Sequence, residues 1–105
     1  MNTWNIMLVE TSDPQRRETL QQLETRSAWR TVTANSAENA IDLLNRQPVD
    51  VMILGTLDAT DERKLRRIAA IQQPGMLIVA GQPAELLSEV DHAIVLLETG
   101  QRPEI

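Results

Sequence analysis

The chain has 105 residues, 42% apolar and 24% charged, with a formal net charge of −5, which fits one compact domain and is too apolar for a disordered segment. Cysteine is absent, so disulfides, thiolate metal sites and thiol nucleophiles are excluded together. Phe and Tyr are absent too, and Trp4 and Trp29 alone, in an acidic chain, leave little for stacking bases or neutralising phosphates.

Taken in chain order, short β-branched apolar runs alternate with amphipathic ones. Residues 4–9 form the first predicted strand. A first helix is expected from Asp13, as N-cap ahead of Pro14, to about Arg26, with Leu20 and Leu23 on its apolar side. Residues 30–34 predict the second strand. Asn35 or Ser36 then caps a second helix, in which Ala37, Ala40, Ile41 and Leu44 share a face. A third strand is expected over 49–54, and a third helix over 60–71 with Leu65, Ile68 and Ile71 as its stripe. Residues 76–80 predict a fourth strand, 83–90 a short fourth helix carrying Leu86, Leu87 and Val90, and 93–97 a fifth strand. The runs 6–9, 51–54 and 76–80 are almost wholly apolar, as in strands covered on both faces. Alternation of this kind predicts right-handed crossovers and a doubly wound parallel sheet. No apolar run approaches the ~20 residues that cross a bilayer, and no basic-then-apolar leader opens the chain. A cytoplasmic protein is expected, with residues 1–98 as the domain and 99–105 as a tail or the start of a linker.

The stretch from Trp29 through Ala34, Asn35 and Ser36 to Leu44 resembles the second strand and second helix of bacterial response-regulator receiver domains. Ahead of it, Asp13-Pro14-Gln15-Arg16-Arg17 is similar to that family's first-helix start. After it, Pro48-Val49-Asp50-Val51-Met52-Ile53-Leu54 is similar to the strand that usually ends in the phosphorylated aspartate. The resemblance spans about residues 4–97. It implies a flavodoxin-like, CheY-like sheet of five parallel strands in the order 2-1-3-4-5. Its phosphorylation site would lie at the carboxyl ends of the strands, where open α/β sheets place their ligands.

Position by position, the chemistry that the resemblance implies is missing. The family's acidic pair falls on Glu10 and Thr11, or on Thr11 and Ser12 if the register is pinned on Pro14 and Arg17; either way at most one carboxylate remains. The acceptor position falls on Gly55, the hydroxyl position on Ala80 and the lysine position on or near Leu96. A degenerate receiver is therefore expected, a pseudo-receiver unable to form the aspartyl phosphate. Asp58 and Asp61 lie near the former site, but acidic residues there suit a helix N-terminus better than a displaced acceptor or a metal held with Glu10.

The remaining features read as surface. Arg63, Lys64, Arg66 and Arg67 on the third helix follow Asp61 and Glu62, the charge order that suits a solvated helix, so direct nucleic-acid binding is not expected. His92, the only histidine, has no nucleophile beside it, and the four glycines (Gly55, Gly75, Gly81, Gly100) make no phosphate loop. Neither catalytic residues nor a metal set nor a cofactor motif is expected. Trp29 is expected to cover a sheet edge. Receiver domains usually end in a fifth helix beside the first, whereas Gly100 and Pro103 disfavour one here. That omission predicts a partly uncovered sheet face beside the first helix, and two explanations stay open: the sequence is a receiver-like part of a longer regulator, or the face is used for homodimer formation or for docking another domain or helix. The surface is assigned to Leu86, Leu87, Val90, Ile94 and Leu96 with part of the first helix. The function expected is a phosphorylation-independent regulatory interaction module. The alternative is a small-molecule sensor using the vacated cleft around Glu10, Gly55 and Ala80.

Overall fold

Short polar side chains set where three of the helices begin. The computed structural model describes residues 3–80 and 85–99. After strand β1 (Trp4–Val9), Ser12 caps helix α1 (Asp13–Leu23) by accepting a long hydrogen bond from the Gln15 N–H, 3.5 Å. Asp13 is thus the first helical residue, one place inside the expected cap. Strand β2 (Trp29–Ala34) leads to helix α2 (Ala37–Arg46), capped by Ser36 through the Asn39 N–H at 3.0 Å. Strand β3 (Val51–Leu54) leads to helix α3 (Ala59–Gln72), whose N-cap Asp58 accepts from the Asp61 N–H at 2.8 Å. Each such cap satisfies one of the orphan N–H groups of a first turn. Strand β4 (Leu77–Ala80) and helix α4 (Leu86–Glu98) complete the described chain.

All strand pairs are parallel, in the order β2-β1-β3-β4. Strand alternation sends Ile6, Leu8, Val51, Ile53 and Val79 to one face, where Leu23 of α1 and Leu86, Val90, Ala93, Ile94 and Leu97 of α4 cover them. Met7, Val9, Met52 and Leu54 face the other side, against Ala40 and Leu44 of α2 and Leu65 and Ala69 of α3. The doubly wound parallel sheet expected from the sequence is therefore present. Gln73, just past α3, ties the lower ends together: its amide donates to the Leu44 and Gln47 carbonyls and accepts from the Val49 N–H at 2.7 Å.

The fifth strand is not formed. Residues 93–97 are the second half of α4, and among the described residues the sheet has four strands. The physical reason is visible in burial: Leu86, Val90, Ala93, Ile94 and Leu97 recur at three- and four-residue spacing and are all buried, while Val95 is 52% exposed. A strand would bury every second residue. The expected break between a helix over 83–90 and a strand therefore disappears; the start at Pro83 lies outside the described residues.

Two further expectations change with it. Helix α4 lies on the α1 side of the sheet, joined to the loop after α1 by the Arg26–Asp91 ion pair at 2.8 Å. The face expected to be uncovered beside the first helix is covered by α4. Leu86, Val90 and Ile94, assigned to an exposed surface, are core residues, leaving only Leu87 and Leu96 half-buried. Trp29 is the first residue of the edge strand β2, half-buried and packed against the core, with the Arg26 guanidinium 5.6 Å from its ring centre.

Candidate functional site

In this sheet the chain leaves β1 in one direction to reach β2 and returns in the other to reach β3. The carboxyl ends of β1 and β3 thus form the switch point at which open α/β sheets leave a crevice. Three of the residues singled out from the sequence come together there. Glu10 follows β1, Gly55 follows β3, and Ala80 ends β4 beside it.

Glu10 is only 3% exposed. Its main chain is pinned on both sides: the N–H donates to the Ala34 carbonyl at 3.0 Å, and the carbonyl accepts from Arg16 Nη1 at 3.0 Å. The carboxylate turns across the switch point. Oε2 accepts from the Ser12 N–H at 3.0 Å, and Oε1 from the Thr56 N–H at 3.2 Å, with the Thr56 hydroxyl at 3.5 Å. Among the described residues no cation lies within ion-pair distance of it; Arg16 pairs with Asp13 instead. Burying a carboxylate costs several kcal/mol unless it is well solvated by the protein. Backbone N–H groups, one at the N-cap of α1, supply that solvation here.

Gly55 makes this arrangement possible. A Cβ added at Gly55 would collide with Glu10 Oε1 and lie 2.9 Å from its Cδ and 3.0 Å from the Val9 carbonyl oxygen. The place where a side chain at the end of β3 would emerge is occupied by the Glu10 carboxylate. Thr11 is exposed and bridges the same two loops, its hydroxyl donating to the Thr56 carbonyl at 2.9 Å.

Other sequence assignments do not meet at this point. Leu96 sits on α4, away from the strand ends, because the strand expected to carry it is absent. Asp58 and Asp61 are spent on the start of α3: Asp58 caps it, and the Asp58 charge is the main reason the Asp61 carboxyl titrates above its ordinary value. His92 lies exposed on α4. Among the described residues no group of three or more His, Asp or Glu side chains could hold a metal ion, and no helix is long and apolar enough to cross a membrane.

A cavity of about 430 Å³ opens above the switch point. Leu8, Leu54, Ala80 and Leu86 form its apolar walls. Glu10, Thr56, Gln15, Thr19 and Glu62 provide its polar lining. Gln15, Thr19, Thr56 and Glu62 are not among the site residues read from the sequence. The signal for Thr19 was available as a hydroxyl on the otherwise apolar side of α1, alongside Leu23 at i+4.

No protein-family model and no curated protein matches this sequence. Solved structures do resemble it. The fold matches a chain of the Salmonella typhimurium RcsB response regulator with a TM-score of 0.74 at 13% identity, over 100% of this chain and 64% of that one. This chain thus spans less than two thirds of that protein. The signal receiver domain of an HD domain-containing protein from Pseudomonas fluorescens Pf-5 matches with a TM-score of 0.65 at 18% identity, over 93% of this chain and 99% of that one. The receiver domain of non-phosphorylated HemR from Leptospira biflexa gives 0.61 at 18%, over 98% and 100%. The chain has the fold of a receiver domain, built here on four described strands.

Proposed function

We propose that the protein is a non-enzymatic, phosphorylation-independent pseudo-receiver in bacterial signal transduction or transcription control. It works by docking a fixed receiver-like surface to a protein partner or to itself, in the cytoplasm. One observation carries the phosphorylation-independent part: the Glu10 carboxylate fills the space above Gly55, the position that the receiver resemblance assigns to the acceptor. Gly55 offers no nucleophile, and with Glu10 so placed a side chain there would collide with its carboxylate. The groups that would bind a transferred phosphoryl group are gone as well, since Ala80 has no hydroxyl and Leu96 is remote.

With Leu86, Val90 and Ile94 in the core, the docking surface reduces to the outer side of α4, where Leu87 and Leu96 are half-buried and Val95 is exposed. The test is a nuclear magnetic resonance amide spectrum recorded before and after adding acetyl phosphate with Mg²⁺. The reading expects no change beyond that caused by the salt. Selective shifts at Glu10, Gly55 and Thr56 would overturn it.

A second reading, a small-molecule sensor, is favoured by the cavity between Glu10, Gly55 and Ala80. In that reading a ligand takes the place that a phosphoryl group holds in a working receiver.

A further inference from the structure

Three features of the cavity above the switch point bear on what it could hold. The first is charge: Glu10 lines it with a carboxylate that has no ion-pair partner among the described residues, and no described Lys or Arg lines it. Anions are thereby disfavoured and a cation is favoured. The second is an unused hydroxyl. Thr19 is 5% exposed, lines the cavity and makes no side-chain hydrogen bond to another described residue. Among the described residues, the buried polar side-chain atom fully sealed from solvent without a partner is Thr31 Oγ1 alone, so the Thr19 hydroxyl is open to the cavity space. The third is the wall: Leu8, Leu54 and Leu86 give a ligand an apolar surface that hydrated metal ions do not use.

We propose that this cavity binds a small alkylammonium ligand, with its ammonium group at the Glu10 end and its hydrocarbon chain against Leu8, Leu54 and Leu86. The Thr19 hydroxyl accepts one ammonium N–H, and Glu62, half-buried and shared with Arg66 at 3.3 Å, adds negative potential to the site. Binding ties α1, through Thr19, to the β1 and β3 loops that Glu10 already bridges. That is how occupancy would be felt on the α1 and α4 side of the molecule. The inference rests on the small-molecule reading of the cleft and is independent of whether the protein docks a partner.

The test uses the full chain with n-butylammonium chloride as probe. Sodium chloride, n-butanol and sodium butyrate serve as controls at matched concentration and ionic strength. Butylammonium alone is expected to raise the melting temperature, by about 5–10 °C at ten times its Kd, with amide shifts centred on Gln15, Thr19, Gly55 and Thr56. Thr19→Val keeps the shape of the side chain and is expected to weaken binding roughly 3–10-fold. Glu10→Gln is expected to abolish binding; if it does not fold, Thr19→Val and Glu62→Gln carry the test. The inference is overturned if butylammonium does no more than butanol or sodium chloride, or if Thr19→Val leaves its affinity unchanged. Such a result with no effect of acetyl phosphate removes this inference and leaves the pseudo-receiver reading standing. Phosphorylation of the protein removes that reading instead.

Discussion

Glu10 and Gly55 explain each other. A carboxylate can be this deeply buried here because the neighbouring strand ends in a residue without a side chain, and its oxygens take up the N–H groups of Ser12 and Thr56. Gly55→Ala should therefore destabilise the fold by about 1–3 kcal/mol through overpacking, measured by urea denaturation. Gly55→Asp should cost more, since it adds a second carboxylate in the same space. The cycle with Glu10→Ala is the informative comparison: the double variant Glu10→Ala/Gly55→Asp is expected to be more stable than the sum of the single effects by at least ~1 kcal/mol. Additive effects would mean that the two residues do not compete for one place. The sequence made the loss at Gly55 legible, because a glycine stands where the resemblance calls for an acceptor. It did not make the use of Glu10 legible, because that depends on the β1 and β3 ends lying side by side. Asp61 gives a smaller expectation. Its folded pKa is raised chiefly by Asp58, so its charge opposes folding above that pKa, and the penalty disappears as pH falls through it. Asp61→Asn should leave the protein slightly more stable near neutral pH, with the difference lost in acid. Because the group sits half-buried at the surface, where solvent screens the repulsion, the effect should be small.

At the scale of elements, α4 is where pattern reading went astray. Ala93-Ile94-Val95-Leu96-Leu97 is short, apolar and partly β-branched, and such a run fits a buried strand or a buried helix turn equally well. The deciding cue was continuity: Leu86 and Val90 begin a three- and four-residue spacing that Ala93, Ile94 and Leu97 continue without interruption. The other elements were legible because caps and turns marked them, with Ser36 before α2 and acidic residues before α3. Two side-by-side substitutions test the helical assignment. Ile94→Ala should cost about 2–4 kcal/mol, as for other buried large-to-small changes, whereas the neighbouring Val95→Ala should stay within about 0.5 kcal/mol. Comparable losses at both would contradict a helix with Val95 outward. Gln73→Ala belongs to the same scale: removing a side chain that ties the end of α2 to the segment before β3 should cost about 1–3 kcal/mol, seen as an earlier urea midpoint with an unchanged slope.

For the whole molecule, the side of the sheet on which α4 lies shapes the rest. Were a fifth strand present, the crossover to it would lie on the α2 and α3 side of the sheet. Among the described residues it is absent, α4 lies on the α1 side, and α4 supplies the cover that the sequence alone suggested was missing. The architecture was legible as a doubly wound parallel sheet because three apolar strands alternate with capped helices. The interface expected at an uncovered face was not, since it rested on a strand that is a helix. What remains common to both descriptions is the switch point between β1 and β3, where a receiver would carry its acceptor and this chain carries a buried glutamate over a glycine. The most direct measurement is intact-mass spectrometry of the full chain after incubation with acetyl phosphate and Mg²⁺, with a phosphorylatable receiver domain as positive control. The account expects the mass of this chain to be unchanged while the control gains a phosphoryl group. A stoichiometric phosphoryl adduct on this chain would contradict it.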